Sequence, residues 1–140
     1  MFSRGASSSE KVPRMIAQLE AKRDHQEQKS TDMLARAKAA LAEGDYATAF
    51  NAFEEIQTTF SQEPEVSERV FQLTIMPLHA YAALLNEETE TAIRLFESFV
   101  KTFPDDRTRL SFVLFNLARA YSEMSAVDKA IDTYKRFVAL

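Results

Sequence analysis

Three stretches of the chain share one pattern: ARAKAALAEGDYATAFNAFEEI at residues 35–56, LHAYAALLNEETETAIRLFESF at 78–99 and LARAYSEMSAVDKAIDTYKRF at 117–137. In each, an alanine is followed by a second alanine twelve residues later, then by an aromatic ring and a further large apolar residue. The four columns are Ala37, Ala80 and Ala118; Ala49, Ala92 and Ala130; Phe53, Phe96 and Tyr134; and Ile56, Phe99 and Phe137. Self-similarity of this kind indicates a repeat architecture.

The copies are offset by 43 and then 38 residues, yet the spacing inside each copy does not change. A pair of helices joined by a short turn explains this, because the turn fixes which faces meet while the link to the next pair can lengthen. Small residues at two fixed points allow helix axes to approach to about 8–10 Å. The aromatic residue lies one turn beyond the second alanine and fills the space above it.

The columns resemble those of the tetratricopeptide repeat (TPR) family. The turn Gly44–Tyr46, the segment Leu117–Tyr121 and the closing pair Phe103–Pro104 carry the resemblance, whereas Arg36 and His79 occupy columns that are usually leucine. The repeats are also longer than the family's usual 34 residues. The resemblance implies an all-α, right-handed α-solenoid of three TPR-like helix hairpins with an N-terminal helical extension.

The predicted organisation is a disordered tail at residues 1–8, a helical extension at 9–30 and a repeat domain at 31–140. Its repeats cover about 31–63, 64–104 and 105–140. Ser30–Asp32 offers caps for a new helix, so we expect seven helices and no strands. Pro77 falls inside a predicted helix, where it removes a backbone hydrogen bond, and therefore predicts a kink or a split into two helices.

The composition is that of one domain of 140 residues, 46% hydrophobic and without cysteine, which excludes disulfides. The formal charge of −4 divides into +2 for residues 1–30 and −6 for the remainder. An acidic repeat body repels a phosphate backbone, so the sequence disfavours nucleic-acid binding.

Residues that could support catalysis or bind a cofactor or metal are few. Two glycines cannot build a phosphate-binding loop, and neither His25 nor His79 has a neighbouring metal-ligand motif. Glu54 and Glu55 are read as a solvated helix face, and His79 as a histidine packed between repeats with one nitrogen satisfied by a neighbour. We predict no enzyme, no cofactor and no metal.

Localisation is predicted from the lack of a membrane or secretory signal. No apolar run approaches the roughly 18–20 residues that span a bilayer, and the amino terminus lacks a secretory core. The start MFSRGASSS has slight transit-peptide character, but a disordered tail fits it better. These features predict a cytoplasmic protein without membrane insertion, or an organellar or periplasmic one if a targeting segment was removed.

The TPR resemblance implies that the first helix of each pair lines a concave groove for a partner. The corresponding groove residues are Leu34, Lys38, Leu41, Thr74, Pro77, Tyr81, Phe112, Phe115 and Arg119. The basic clamp by which some family members hold chaperone tails is missing, because its positions carry Leu34, Lys38, Leu78, Phe112 and Asn116. An amphipathic helix or extended apolar segment is the favoured guest.

Two alternative uses of apolar residues remain open. The groove residues could serve only packing, or they could be covered by the stripe Val12, Ile16 and Leu19 of the same chain or of a second copy. The last helix carries Ile131, Tyr134, Phe137 and Val138, which predict a terminal assembly surface. A partner subunit, a second copy, the extension or a removed continuation of the polypeptide could cover it.

The sequence therefore predicts a non-catalytic scaffold or adaptor whose groove binds an apolar helix or segment of a protein or peptide partner. One alternative is a structural subunit or homo-oligomerisation domain that assembles through its terminal helix. Another is a regulatory TPR fragment of a larger protein. Resemblance in fold alone does not select among these functions.

Overall fold

A computed structural model describes residues 8–60 and 68–140, which form six α-helices and no strand. The helices are α1 (Ser8–Ala42), α2 (Tyr46–Phe60), α3 (Glu68–Leu85), α4 (Thr89–Thr102), α5 (Arg107–Glu123) and α6 (Val127–Val138). Each helix packs against the next along the chain, and α3 also contacts α5. This arrangement of consecutive hairpins, α1/α2, α3/α4 and α5/α6, confirms the all-α, TPR-like fold.

The six alanines of the repeat columns are all buried. Their partners Phe53, Phe96 and Phe99 are fully buried as well, so the rings of α2 and α4 fill the space beside the helix crossings. Two core clusters result, one under the first hairpin and one under the second and third, and Phe50 packs against both. The alanine columns of all three hairpins and the aromatic columns of the first two are therefore internal contacts of the repeats.

The three hairpin turns share one backbone conformation. A residue with positive φ ends the first helix: Gly44 at 81°, Glu87 at 63° and Ser125 at 58°. The amide of the next residue donates a hydrogen bond to the carbonyl five positions earlier, from Asp45 to Ala40, Glu88 to Ala83 and Ala126 to Tyr121. This is the Schellman ending of a helix, for which glycine has no steric cost.

Helix α1 corrects the predicted helix count. The expected break near Ser30–Asp32 does not occur, and the extension and the first repeat helix form one continuous helix of 35 residues. The polar side chains expected to cap a new helix bond within α1 instead. The Thr31 hydroxyl donates to the Glu27 carbonyl at 2.9 Å, and the Gln28 amide donates to Asp32 at 2.9 Å. Ser8 of the predicted tail belongs to α1, and residues 1–7 lie outside the described residues.

Helix α3 is continuous across Pro77, so the predicted split into two helices is wrong. Ile75 and Pro77 are buried, and Leu73 and Met76 pack against the core. Leu78 and the fully buried Ala80 pack against the core after the proline as well. Contacts on both sides of Pro77 therefore hold the helix together although one backbone hydrogen bond is missing, which illustrates how tertiary packing overrides local propensity.

The stripe of the N-terminal extension does not enter the groove of its own chain. Val12, Ile16 and Leu19 are each at least half exposed on the surface of α1. Occupation of the chain's own groove is therefore wrong for these residues.

We expect Glu87→Gly to stabilise the protein by up to about 1 kcal/mol, because a side chain at positive φ is strained and glycine is not. Denaturant unfolding followed by circular dichroism measures the change. The control is Glu90→Gly in the exposed first turn of α4, which should destabilise by about 0.5–1 kcal/mol. A loss of stability in Glu87→Gly would contradict this account of the turn.

Candidate functional site

The groove residues of α1 lie beside the first hairpin's core. Leu34 and Leu41 are partly buried and pack against that core, while Lys38 is exposed. The aliphatic pair therefore contributes to packing as well as to the surface. Lys38 presents a charge next to them.

The groove residues of α3 differ in accessibility. Pro77 is buried and offers no surface to a partner, which corrects its place in the predicted groove. Thr74 and Tyr81 are partly exposed. The Tyr81 ring meets the Phe112 ring of α5 edge to face, with 5.2 Å between centroids. Tyr81 and Phe112 thus form an apolar contact between the first helices of two repeats.

The groove residues of α5 point to two different neighbours. Phe112 lies against α3, whereas the Phe115 ring lies 6.1 Å from Tyr134 and 5.6 Å from Phe137, both on α6. Phe115 therefore belongs to the α5/α6 contact, and its substitution would disturb the groove and the last helix together. Arg119 pairs with Glu123 at 3.5 Å along α5.

The exposed side of α6 forms a second apolar surface, which we call the terminal face: Ile131, Tyr134, Phe137 and Val138. Ile131 is 46% exposed and Val138 81% exposed, while Phe137 is partly buried against the core. The surface is shallow and carries Lys135 beside it. Among the described residues no later helix covers this face.

A buried polar contact joins the first two hairpins. His79 of α3 is only 2% exposed, and its ring lies between Phe50 and Phe53 of α2 at centroid distances of 5.5 and 6.3 Å. Its Nε2 lies 3.1 Å from Oε1 of Glu54, which accepts the hydrogen bond. The structure confirms the reading of His79 as a histidine packed between repeats. The reading of Glu54 as only part of a solvated helix face is incomplete, because its half-exposed carboxylate also accepts the hydrogen bond from His79.

Burial controls the protonation of His79. Loss of solvent lowers the pKa of the ring below its ordinary value of 6.5, the Glu54 carboxylate opposes the shift, and Arg94 adds a smaller lowering. The neutral ring is therefore the form that the fold favours.

A side-chain hydrogen bond also joins the second and third hairpins. The Tyr121 hydroxyl of α5 donates to the Glu97 carboxylate of α4, as His79 of α3 does to Glu54 of α2.

A polar cavity of about 380 Å³ between α1 and α2 was not predicted from the sequence. It is lined by His25, Gln28, Lys29, Asp32, Met33, Arg36, Ala52, Glu55 and Thr59. Two cations and two carboxylates balance one another there, so the cavity has no strong preference for the sign of a ligand. In the described ranges no cluster of three or more metal-ligating side chains occurs.

Residues 25–138 match the family model described as YfiO, outer membrane lipoprotein. The chain belongs to the YfiO family. This family is a TPR-like helical repeat family, so the resemblance read from the alanine columns is confirmed. The chain has no significant match among curated proteins or solved structures.

Membership of the YfiO family overturns the predicted localisation. YfiO proteins are lipoproteins at the periplasmic face of the outer membrane, so the cytoplasmic prediction is wrong. Lipoproteins of this family are non-catalytic. Across residues 8–60 and 68–140, no helix combines the length and hydrophobicity needed to cross a bilayer.

We expect Glu54→Ala to destabilise the protein by about 1 kcal/mol, because it leaves the buried Nε2 of His79 without its acceptor. The sequence alone predicts a near-neutral effect for this change. Glu55→Ala, on the neighbouring exposed position, is the matched control and should stay within about 0.5 kcal/mol of wild type. Equal free energies of unfolding for the two variants would show that the contact to Glu54 contributes nothing.

Stability should fall as the pH drops below 6.5. The lowered pKa of His79 means that the unfolded chain binds a proton before the folded chain does, so protonation favours unfolding. His79→Gln removes this titration and keeps a donor for Glu54. Thermal unfolding at pH 7.5 and pH 5.5 should show a smaller loss of Tm in His79→Gln than in wild type, and an identical loss would exclude His79 as the cause.

Proposed function

We propose that this YfiO-family chain is a non-catalytic protein-binding scaffold that holds an apolar helix or segment of a partner along α1, α3 and α5. The observation that carries the proposal is the Tyr81–Phe112 contact, which makes one apolar surface from two repeats. The direct contact of α3 with α5 supports a continuous binding surface. Partners of this chemistry bind helical repeats through apolar anchors at helical spacing.

The groove residues take different parts in this proposal. Tyr81 and Phe112 are the central anchors, since both are aromatic and partly exposed. Leu34, Leu41 and Thr74 extend the surface, and Lys38 and Arg119 supply charge-assisted contacts at its edge. Phe115 contacts α6 and Pro77 is buried, so neither is assigned as an anchor.

A second candidate function is assembly through the terminal face. The exposure of Ile131 and Val138 favours it, because an apolar surface on one helix is normally covered in a helical repeat. This function does not exclude the first, since Tyr81 and Phe112 lie on α3 and α5, whereas the terminal face lies on α6. The regulatory-fragment alternative has no structural observation in its favour.

Phe112→Ala tests the groove. The probe is a fluorescent 18-residue synthetic amphipathic helix with leucines at positions three and four apart, and its binding is followed by anisotropy. The variant should bind about tenfold more weakly, a loss of roughly 1.4 kcal/mol.

Met124→Ala is the matched control, since it removes an exposed apolar side chain outside the groove residues and should leave affinity unchanged. Circular dichroism establishes that both variants are folded. Equal affinities of Phe112→Ala and wild type, or no binding by any of the three proteins, would contradict the proposed groove.

A further inference from the structure

Two glutamates have equivalent positions in the contacts between neighbouring hairpins. Glu54 of α2 and Glu97 of α4 are 43 residues apart, which is the offset between the first two repeats. Each carboxylate accepts a hydrogen bond from the first helix of the next hairpin, Glu54 from His79 and Glu97 from the Tyr121 hydroxyl. We call these contacts the first junction, between α2 and α3, and the second junction, between α4 and α5.

The donors at the two junctions change charge at different pH values. An imidazole ordinarily titrates near about pH 6.5, whereas the phenol of a tyrosine titrates near about pH 10. Burial and Glu97 raise the pKa of Tyr121 further, so its hydroxyl keeps its proton wherever a histidine titrates. Acidification therefore changes the donor of the first junction and leaves the donor of the second junction unchanged.

The surroundings of His79 do not accommodate a second ring proton. The ring lies between Phe50 and Phe53, and its buried Nδ1 atom has no hydrogen-bond partner among the described residues. Since Nε2 carries the proton that bonds to Glu54, Nδ1 of the neutral ring is an unused acceptor. Protonation turns Nδ1 into a charged donor that meets no acceptor, and burying such a group is costly.

Two charged side chains act on this ring from the helices that pack against α3. Glu54 of α2 favours the protonated form and Arg94 of α4 disfavours it, while α1 and α5 contribute no shift among the described residues. Loss of solvent outweighs the effect of Glu54, whose side chain is 48% exposed and screened by water. The folded junction favours the neutral ring, so its stability is present above pH 6.5 and is lost as the pH falls below that value.

The first junction also lies where the core is divided. One core cluster lies under α1 and α2 and includes Ile75 and Ala82 of α3, whereas the other cluster joins the rest of α3 to α4 and α5. In the repeat column of His79, α5 carries the buried Leu117, which belongs to that second cluster. A polar ring therefore lies at the boundary between two core clusters, and the equivalent position of the second junction is hydrophobic.

We propose that the first junction is a pH-sensitive hinge: a second proton on the His79 ring separates the first hairpin from α3 and divides the groove, while α3 to α6 stay together. The groove residues of α1 then move away, and the Tyr81–Phe112 contact stays intact on α3 and α5. A partner that contacts both parts is released on acidification. The effect on binding rests on the groove proposed above, whereas the hinge itself does not.

Distances between spin labels on introduced cysteines test the hinge, because the full chain has no cysteine of its own. Ala47, Glu90 and Asp128 occupy one repeat column near the starts of α2, α4 and α6, and all three are exposed. The pair Ala47→Cys with Glu90→Cys spans the first junction. The pair Glu90→Cys with Asp128→Cys spans the second junction and is the matched control. Double electron-electron resonance measures both pairs at pH 7.5 and pH 5.5, and circular dichroism checks that the helices persist.

At pH 5.5 the first pair should show a longer and broader distance distribution, and the second pair should not change. His79→Gln keeps a donor for Glu54 without titrating, so it should hold the first pair at its pH 7.5 distance. His79→Leu, which introduces the side chain of the equivalent α5 position, should do the same. The hinge is overturned if the first pair is insensitive to pH, if both His79 variants respond like wild type, or if the two pairs change alike.

Anisotropy with the synthetic amphipathic helix, made without groups that titrate in this range, measures the effect on the groove. Acidification should weaken binding to wild type by about fivefold or more and leave binding to His79→Gln unchanged. Hinge opening at constant affinity would support the hinge and show that α1 takes no part in the groove. Absence of binding at both pH values would contradict the groove, while the label distances still decide the hinge. A loss of affinity without a change in distance would overturn the hinge.

Discussion

Close approach of helices at the alanine columns is the constraint on which the rest of the structure depends. Six alanines are buried where paired helices cross, and a larger side chain at any of them would separate the two axes. The rings one turn further, such as Phe53 and Phe96, fill space that exists only because those crossings are tight. The turns serve the same packing. A residue with positive φ ends the first helix and directs the second helix back along the face that carries the alanine.

The contacts between neighbouring hairpins differ from one another, whereas the contacts inside each hairpin repeat. Phe50 packs against both core clusters, and His79 brings a polar ring into the contact between α2 and α3. A buried ring nitrogen needs a partner, and Glu54 supplies it from the solvent side. The first junction is therefore sensitive to protonation, whereas the junction between α4 and α5 uses the Tyr121 hydroxyl, whose pKa burial and Glu97 raise.

The sequence predicted the repeat columns because alanine and aromatic residues recur at invariant spacing within each hairpin. The terminal assembly surface stays a prediction, although Ile131 and Val138 are exposed. The continuity of α1 could not be predicted, because the hydroxyl of Thr31 can cap a helix or bond back to its preceding turn with similar ease. The Glu54–His79 contact spans 25 positions and leaves no periodic signal. Localisation depends on family membership and is not encoded in helix packing.

Because α1 is continuous, the direction of each of its side chains around the helix axis is fixed relative to the first hairpin. Each residue turns the helix by about 100°, so one added residue in the exposed half would rotate the stripe Val12, Ile16 and Leu19 to another side of the helix. Seven added residues would restore nearly the same direction and move the stripe outward by about 10.5 Å. The exposed half of α1 can therefore vary in length with an unchanged stripe orientation only in steps close to whole helical turns, such as seven or eleven residues.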